Sequence, residues 1–184
     1  MEITNTPIEG LKIIKPVVFK DGRGYFFESY NAERYKSYGI TDNFVQDNQS
    51  CSSKGVVRGL HFQLPPFAQS KLVRVLRGAA LDVAVDIRAG SPTYGKYFSV
   101  LLTAENMLQF YIPVGFAHGF TALEDDTVFF YKCGNFYNKA SERNIIFNDP
   151  DINVDWQTDN PLTSEKDSAG VRLRDFISPF NYKE

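Results

Sequence analysis

The segment from residue 81 to residue 88 alternates between apolar and polar side chains with a period of two. Its odd-numbered positions are all aliphatic, and three of its four even-numbered positions are charged. Successive side chains of a β-strand point to opposite faces of the sheet. The segment is therefore predicted to be a strand with one apolar face and one polar face.

Further short runs of apolar residues suggest additional strands, and turn-forming clusters separate them. They cover residues 71–76, 98–102, 109–112, 127–131 and 144–147. Short strands at this spacing are typical of an antiparallel sandwich or barrel.

Helix is predicted in only two places. Asn31 is a suitable N-cap for a helix that ends at Tyr38, just before Gly39. A second helix is expected to start near Thr163 or Ser164. No repeat or linker-like segment divides the chain, so residues 1–184 are predicted to form a single all-β domain with a few short helices.

Composition excludes several function classes. The chain has 20 Lys and Arg against 22 Asp and Glu, and this balance argues against binding to nucleic acid or a membrane surface. No apolar run reaches the roughly 18 residues of a membrane-spanning helix. The first ten residues lack the basic and apolar parts of a signal peptide. Because Cys51 and Cys133 form neither a CxxC pair nor a disulfide framework, we expect the protein in the reducing cytoplasm.

Imidazole chemistry can come from two residues only, since His61 and His118 are the only histidines. His118 lies between Gly115 and Gly119, after an apolar run, so it is expected in a tight turn at the end of a strand. Either histidine could also have a structural role. A catalytic metal site needs three or four ligands, and the chain has neither HxH nor HExxH, so no metal is predicted.

The motifs of other common enzyme classes are missing from the sequence. There is no G-x-S-x-G around a serine, and neither cysteine has a recognisable nucleophile context. Nucleotide hydrolysis and dinucleotide redox chemistry are poorly supported, because GxxxxGK and GxGxxG are also absent.

Polar residues in the middle of the chain suggest a pocket. They are Arg58, Lys71, Arg74, Asp82 and Asp86. If their strand faces point into a barrel, the barrel mouth becomes a small-molecule site; otherwise these faces are solvated. Arg23, between two glycines, could bind an anion or occupy a plain hairpin turn. Tyr131 and Tyr137 could be core aromatics, or one of them could donate a proton.

A colinear series of nine motifs resembles the dTDP-4-dehydrorhamnose 3,5-epimerase family over roughly residues 10–170. The first three are Asp21-x-Arg23-Gly24-Tyr25-Phe26-Phe27-Glu28, Gln46-Asp47-Asn48-x-Ser50 and Arg58-Gly59-Leu60-His61-Phe62-Gln63. The next three are Gln69-Ser70-Lys71-Leu72-Val73-Arg74-Val75, the segment Asp82 to Arg88, and Ser91-Pro92-Thr93-Tyr94-Gly95. The last three are the segment Ile112 to Phe120, Tyr131-Lys132-Cys133 and Asn148-Asp149-Pro150.

This resemblance implies a cupin-type antiparallel jelly-roll barrel, a homodimer and an enzyme without a cofactor. The implied reaction inverts carbons 3 and 5 of dTDP-4-dehydro-6-deoxy-D-glucose through a 4-enolate and gives dTDP-4-dehydro-L-rhamnose. Pro113-x-Gly115-x-x-His118 resembles the second cupin motif, whereas the metal-binding HxH of the first cupin motif is absent.

The resemblance also implies a role for individual residues. His61 would be the base, with Asp167 on its imidazole, and Tyr131 would be the general acid on the opposite face of the sugar. Lys71 would stabilise the enolate oxygen. Substrate contacts would come from Arg23, Glu28, Gln46, Asn48, Arg58, Tyr137 and Lys166, and Asp82 would pair with His118 near the substrate. The spacing of Ser164 and Asp167 equally fits a capping box, in which Asp167 would be structural.

Two departures from the family pattern bear on specificity. Family members typically carry Thr where this chain has Gly134, and they have a shorter segment at residues 64–68. The alternatives left open are an epimerase that acts at one carbon only, a ketoisomerase of a related dTDP-4-keto-6-deoxysugar, and a cupin-like sugar-binding module without turnover. The last alternative leaves the combination of His61 and Tyr131 unexplained, because binding alone needs no acid–base pair.

Overall fold

Two antiparallel β-sheets face each other in the computed structural model, which describes residues 1–182. The described residues form 13 strands, two short α-helices and a 3₁₀ turn at Leu173–Asp175. The predicted all-β antiparallel architecture with few short helices is confirmed. Lys183 and Glu184, the last residues of the predicted domain, lie outside the described residues.

The strands are β1 (Glu2–Asn5), β2 (Lys12–Lys15), β3 (Phe19–Asp21), β4 (Gly24–Phe26), β5 (Gln46–Ser52), β6 (Val57–Gln63), β7 (Lys71–Arg77), β8 (Ala79–Asp86), β9 (Tyr97–Thr103), β10 (Gln109–Ile112), β11 (Phe116–Ala122), β12 (Thr127–Cys133) and β13 (Glu142–Asn144). One sheet has the order β1-β2-β10-β7-β12-β5, and the other has the order β13-β6-β11-β8-β9. Strands β3 and β4 form a separate hairpin.

The alternating segment is strand β8, and both of its faces are buried. Leu81, Val83 and Val85 face outward and pack under the C-terminal segment that contains Trp156. The other face looks into the space between the sheets, where Asp82 is completely buried. The polar face of the predicted strand therefore points into the barrel and not into solvent.

Both predicted helices are present. Helix α1 (Ala32–Ser37) has Asn31 as its N-cap and lays Tyr35 against the outer face of the six-stranded sheet. Helix α2 (Glu165–Ser168) begins after Ser164, whose hydroxyl accepts a hydrogen bond from the Asp167 amide. Within the described residues, no helix is both long enough and apolar enough to cross a bilayer.

Two predicted positions are corrected by the structure. His118 does not lie in a turn at a strand end, because it occupies the middle of β11, a strand that is buried along its whole length. Gly115, with φ +97°, forms the turn before the strand. Gly119 instead permits close packing of strands, since a Cβ on Gly119 would lie 2.7 Å from the Arg58 carbonyl oxygen of the neighbouring strand β6. The strand predicted at residues 144–147 is also misplaced, because β13 ends at Asn144.

Candidate active site

A cleft lies between the two sheets, and His61 lines each part of it. The six-stranded sheet contributes Lys71 from β7 and Tyr131 from β12. The five-stranded sheet contributes His61 from β6 and His118 from β11. The two candidate proton-transfer residues, His61 and Tyr131, therefore come from opposite walls of the same cleft.

Asp167 binds the imidazole of His61. Its Oδ1 lies 2.5 Å from the His61 Nε2, which leaves Nδ1 as the ring nitrogen that can accept a further proton. Asp167 is only 4% exposed. Burial alone would raise the pKa of Asp167, but hydrogen bonds from His61 and Ser164 outweigh it and bring the pKa below its usual value. The arrangement suits a base whose protonated form is stabilised by a neighbouring carboxylate.

The surroundings of Tyr131 favour its protonated form. Burial raises the pKa of its phenol, and Cys133 nearby raises it further. The Lys71 ammonium lies 5.8 Å from the centre of the Tyr131 ring. A protonated phenol and an ammonium thus share one wall of the cleft.

The Lys71 ammonium contacts His118, which in turn contacts Asp82, and all three side chains are buried. Its Nζ lies 3.4 Å from the His118 Nδ1, and the His118 Nε2 lies 2.9 Å from Asp82. Burial lowers the pKa of His118, so its ring is neutral, with Nε2 donating to Asp82 and Nδ1 accepting from Lys71. Burial also lowers the pKa of Lys71, while Cys133 and Asp82 oppose this effect. The predicted pairing of Asp82 with His118 is present.

Polar side chains from β5 line one side of the cleft. The Gln46 Nε2 donates to the Asn48 Oδ1 at 2.9 Å, and the Gln46 Oε1 accepts from the Tyr137 backbone amide at 2.9 Å. Arg58, from β6, also lines the cleft, and its Nε donates to the Ser52 hydroxyl at 3.2 Å. Four predicted substrate contacts, Gln46, Asn48, Arg58 and Tyr137, are thus brought to the cleft.

Glu142 was not predicted as a site residue, but it lines the cleft beside His61. Its carboxylate lies 2.5 Å from the Lys166 Nζ and accepts from the Tyr137 hydroxyl at 3.0 Å. Burial raises the pKa of Glu142, but the hydrogen bonds from Lys166 and Tyr137 prevail and lower it. A single carboxylate in the short strand β13 has no sequence pattern that identifies it as a site residue. Its role becomes visible only from the residues that surround it in the folded chain.

Comparison with known proteins shows the family of this chain. A family model described as dTDP-4-dehydrorhamnose 3,5-epimerase matches residues 5–175. The chain belongs to the dTDP-4-dehydrorhamnose 3,5-epimerase family. It is 51% identical over 176 residues to the enzyme of that name from Shigella flexneri, an alignment that covers 95% of this chain and 97% of the relative.

Solved structures of the family have the same fold. An epimerase from Legionella pneumophila, solved in complex with dTDP-4-keto-L-rhamnose, is 48% identical, and the match has a TM-score of 0.95 and covers 100% of this chain and 99% of the other. A 3'-monoepimerase from Streptomyces bikiniensis, in complex with dTDP-quinovose, is 34% identical, with a TM-score of 0.86 and coverage of 92% and 86%. The predicted cupin-type jelly-roll fold is confirmed by these matches.

Two predicted substrate contacts of this family member lie away from the cleft. Arg23 is on the β3–β4 hairpin, where its side chain is 91% exposed and pairs with Asp21. Glu28 pairs with Arg34 at 3.1 Å. Neither residue lines the cleft around His61 in the described part of a single chain.

Two of the central polar residues serve other parts of the fold. The Arg74 guanidinium lies over the ring of Phe27, and Asp86 binds Arg88 in a tight ion pair. Among residues 1–182, no group of three or more His, Cys, Asp or Glu is arranged to hold a metal ion.

Proposed function

We propose that this chain inverts carbons 3 and 5 of dTDP-4-dehydro-6-deoxy-D-glucose through a 4-enolate and gives dTDP-4-dehydro-L-rhamnose. The observation that carries the proposal is the placement of His61 and Tyr131 on opposite walls of one cleft. Inversion at carbon requires that a proton leaves one face and another arrives at the opposite face. Support also comes from the Shigella relative and from the sugar nucleotide bound to the Legionella enzyme.

The ketone at carbon 4 makes the hydrogens on carbons 3 and 5 acidic, so one base can serve both inversions. His61 takes the proton on Nδ1, and the C–H electron pair moves into an enolate whose oxygen is stabilised by Lys71. One pre-placed cationic donor of this kind can supply roughly 3–4 kcal/mol. Tyr131 then gives its proton to the opposite face of the carbon, and exchange with solvent restores the imidazole and the phenol.

The remaining predicted residues bind the substrate in this proposal. Arg58 and Lys166 are cations suited to the diphosphate, because charge-assisted hydrogen bonds to phosphate oxygens are short and strong. Gln46, Asn48 and Tyr137 offer amide and phenol groups to the nucleotide or the sugar. His118 and Asp82 act through Lys71, whose ammonium they orient.

A homodimer is part of the proposal, because Arg23 and Glu28 do not reach the cleft of their own chain. The β3–β4 hairpin that carries Arg23 exposes Phe19, Tyr25 and Phe26 by 63%, 62% and 68%. An exposed apolar patch of this kind favours contact with another protein surface. A second copy of the chain would cover the aromatic rings and could receive Arg23 at its own cleft.

The cytoplasm remains the expected location. Cys51 and Cys133 are both free thiols, and Cys133 is buried beside Lys71 in the candidate site. A reducing compartment keeps such thiols unoxidised.

A family member that inverts only one carbon is the second candidate, because the Streptomyces bikiniensis relative is a 3'-monoepimerase. Incubation of the 4-keto sugar nucleotide with the protein in deuterated water separates the candidates. Deuterium at both carbon 3 and carbon 5 of the product supports the double epimerase, whereas deuterium at one carbon supports the monoepimerase. Recovery of unlabelled substrate would exclude every proton-transfer role proposed for the cleft.

A further inference from the structure

Both carboxylate oxygens of Asp167 have partners. Its Oδ1 meets the His61 Nε2 at 2.5 Å, and its Oδ2 lies 2.8 Å from the Ser164 hydroxyl. The same hydroxyl accepts a hydrogen bond from the Asp167 backbone amide at 3.1 Å. A serine hydroxyl has one proton, and the amide already donates to its oxygen. The Ser164 proton is therefore directed at the Asp167 carboxylate.

We propose that Ser164 is a positioning residue: its hydroxyl holds the Asp167 carboxylate in the orientation that keeps the His61 ring proton on Nε2 and leaves Nδ1 to act as the base. This inference rests on the proposed role of His61. Ser164 itself touches neither the imidazole nor, in the proposed reaction, the substrate.

The carboxylate needs this second anchor because of where it sits. Helix α2 has only four residues. Its polar links to β13 are the hydrogen bond from the Asn144 side chain to the Lys166 carbonyl, 2.9 Å long, and the ion pair between Lys166 and Glu142. The terminal torsion of an aspartate side chain is broad, so one hydrogen bond leaves the carboxylate free to rotate. Contacts at both oxygens fix its plane, and with it the ring that it binds.

Charge points to the same role. Asp167 is buried, and burial favours its neutral form, whereas the hydrogen bonds from His61 and Ser164 favour the carboxylate. A neutral carboxyl could donate its own proton to the His61 Nε2 and reverse the tautomer. The Ser164 donor stabilises the carboxylate. It therefore disfavours the His61 tautomer that has its proton on Nδ1, in which Nδ1 cannot act as a base.

Ser164 is also the N-cap of α2, so the test must separate capping from positioning. Ser164→Ala removes both functions, and Ser164→Thr keeps both. Ser164→Asp keeps an oxygen that can cap the helix but has no proton to donate to Asp167. Ser168→Ala is the matched control, because it removes the hydroxyl that lies 2.8 Å from Thr163 in the same turn and leaves Asp167 untouched.

The direct readout is the ring ¹⁵N spectrum at neutral pH. The chain has only two histidines, so four ring nitrogens appear and His118 serves as an internal reference. We expect the proton on Nε2 of His61 in the wild type, Ser164→Thr and Ser168→Ala, and a shift towards Nδ1 in Ser164→Ala and Ser164→Asp. We also expect kcat for product formation to fall by about tenfold in the latter two variants, with KM little changed.

If Ser164→Asp had the spectrum and the kcat of the wild type, the Ser164 hydroxyl would serve only as a helix cap, and the proposal would be overturned. An unchanged His61 tautomer in Ser164→Ala would overturn it as well. Thermal melting distinguishes a loss of folding from a loss of positioning, and Ser164→Thr provides a folded comparison. The tautomer measurement does not depend on turnover. If His61 proved not to be the base, the epimerase mechanism would fail while the Ser164 contact could still be judged.

Discussion

His61 is the histidine whose ring is available to a substrate. His118 is 5% exposed, and both of its ring nitrogens face buried partners. We predict that His61→Asn abolishes deuterium exchange at carbons 3 and 5, a loss of at least about 100-fold, because general base catalysis contributes on that order. Mass spectrometry of the product measures the exchange. Calorimetric titration with dTDP should show nearly unchanged binding, which serves as the control for folding.

Tyr131→Phe is the informative comparison for the His61 variant. It removes one hydroxyl from the opposite wall and leaves the base in place. We expect substrate carbons to keep exchanging with solvent while completed inversion is strongly impaired, since no acid supplies the opposite face. Normal rates of rhamnose-configured product from this variant would rule out Tyr131 as the acid.

The Ser70 side chain lies in the space that a side chain at Gly134 would occupy. A Cβ at position 134 would lie 2.3 Å from the Ser70 Oγ. Ser70 is 1% exposed, and among the described residues its hydroxyl has no hydrogen-bond partner. A side chain at position 134 would therefore disturb packing behind the cleft.

We predict that Gly134→Ala destabilises the protein by about 1–2 kcal/mol because it overpacks this site. Ser70→Ala should cost little, since the hydroxyl has no partner to lose. The double variant should recover most of the loss, which gives a coupling energy of about 1 kcal/mol. Urea unfolding of the four proteins completes the cycle, and strictly additive effects would contradict the proposed contact.

Asp167 shows what local sequence can and cannot reveal about a residue. The spacing from Ser164 predicts the cap, and the cap is present through the Asp167 backbone amide. The contact with His61 joins residues 106 positions apart, so no local pattern predicts it; it came from the family resemblance. The two interpretations are compatible, because the amide caps the helix while the carboxylate binds the imidazole.

Among the elements, β8 was predictable and β11 was not. Strand β8 has aliphatic residues at every second position, whereas β11 is buried on both faces and has the sequence Phe-Ala-His-Gly-Phe-Thr-Ala, without alternation. Strand β5 was missed for the opposite reason. Its residues are almost all polar, and Gln46 and Asn48 face the cleft. Periodicity detects strands with one apolar face, and the strands that build the site often lack one.

The end of β8 supports a pH-dependent contribution to stability. Asp86 is completely buried and binds the Arg88 guanidinium through both oxygens, at 2.9 Å and 2.6 Å. Burial would raise the pKa of Asp86, but hydrogen bonds from Arg88, Ser91 and Thr93 outweigh it and lower the pKa. The stabilisation is therefore complete above the unfolded pKa near 3.9 and is lost as the pH falls through the lower folded pKa.

We predict that Asp86→Asn lowers the free energy of unfolding at pH 7 by about 3 kcal/mol, because the Arg88 side chain, which is only 13% exposed, loses its charged partner. The difference from wild type should shrink as the pH falls below about 4. Urea titrations between pH 2 and 7 measure it. Asp126→Asn is the matched control, since its ion pair with Arg77 is largely exposed and should contribute little. A difference that stays constant with pH would contradict this account.

For the molecule as a whole, one chain does not account for all the residues that the family resemblance assigns to the substrate. His61, Lys71, Tyr131 and Asp167 converge without help, while Arg23 projects from an exposed aromatic hairpin. The sequence could not indicate this separation. The motif that contains Arg23 has no feature that shows how far it lies from His61 in the folded chain. The predicted single domain of residues 1–184 and the homodimer stay predictions that solution measurements can address.

Mixing two defective variants tests whether Arg23 acts in a second copy. Arg23→Ala and His61→Asn should each be impaired alone, and light scattering should show dimers for both. After the two are mixed and allowed to exchange subunits, half of the dimers are mixed, and each contains one cleft with both His61 and an Arg23 donated by the other chain. Roughly a quarter of all clefts, and a similar share of wild-type activity, should then be restored. If Arg23 served its own chain, each chain would keep its own defect, and the mixture would be no more active than the average of its components.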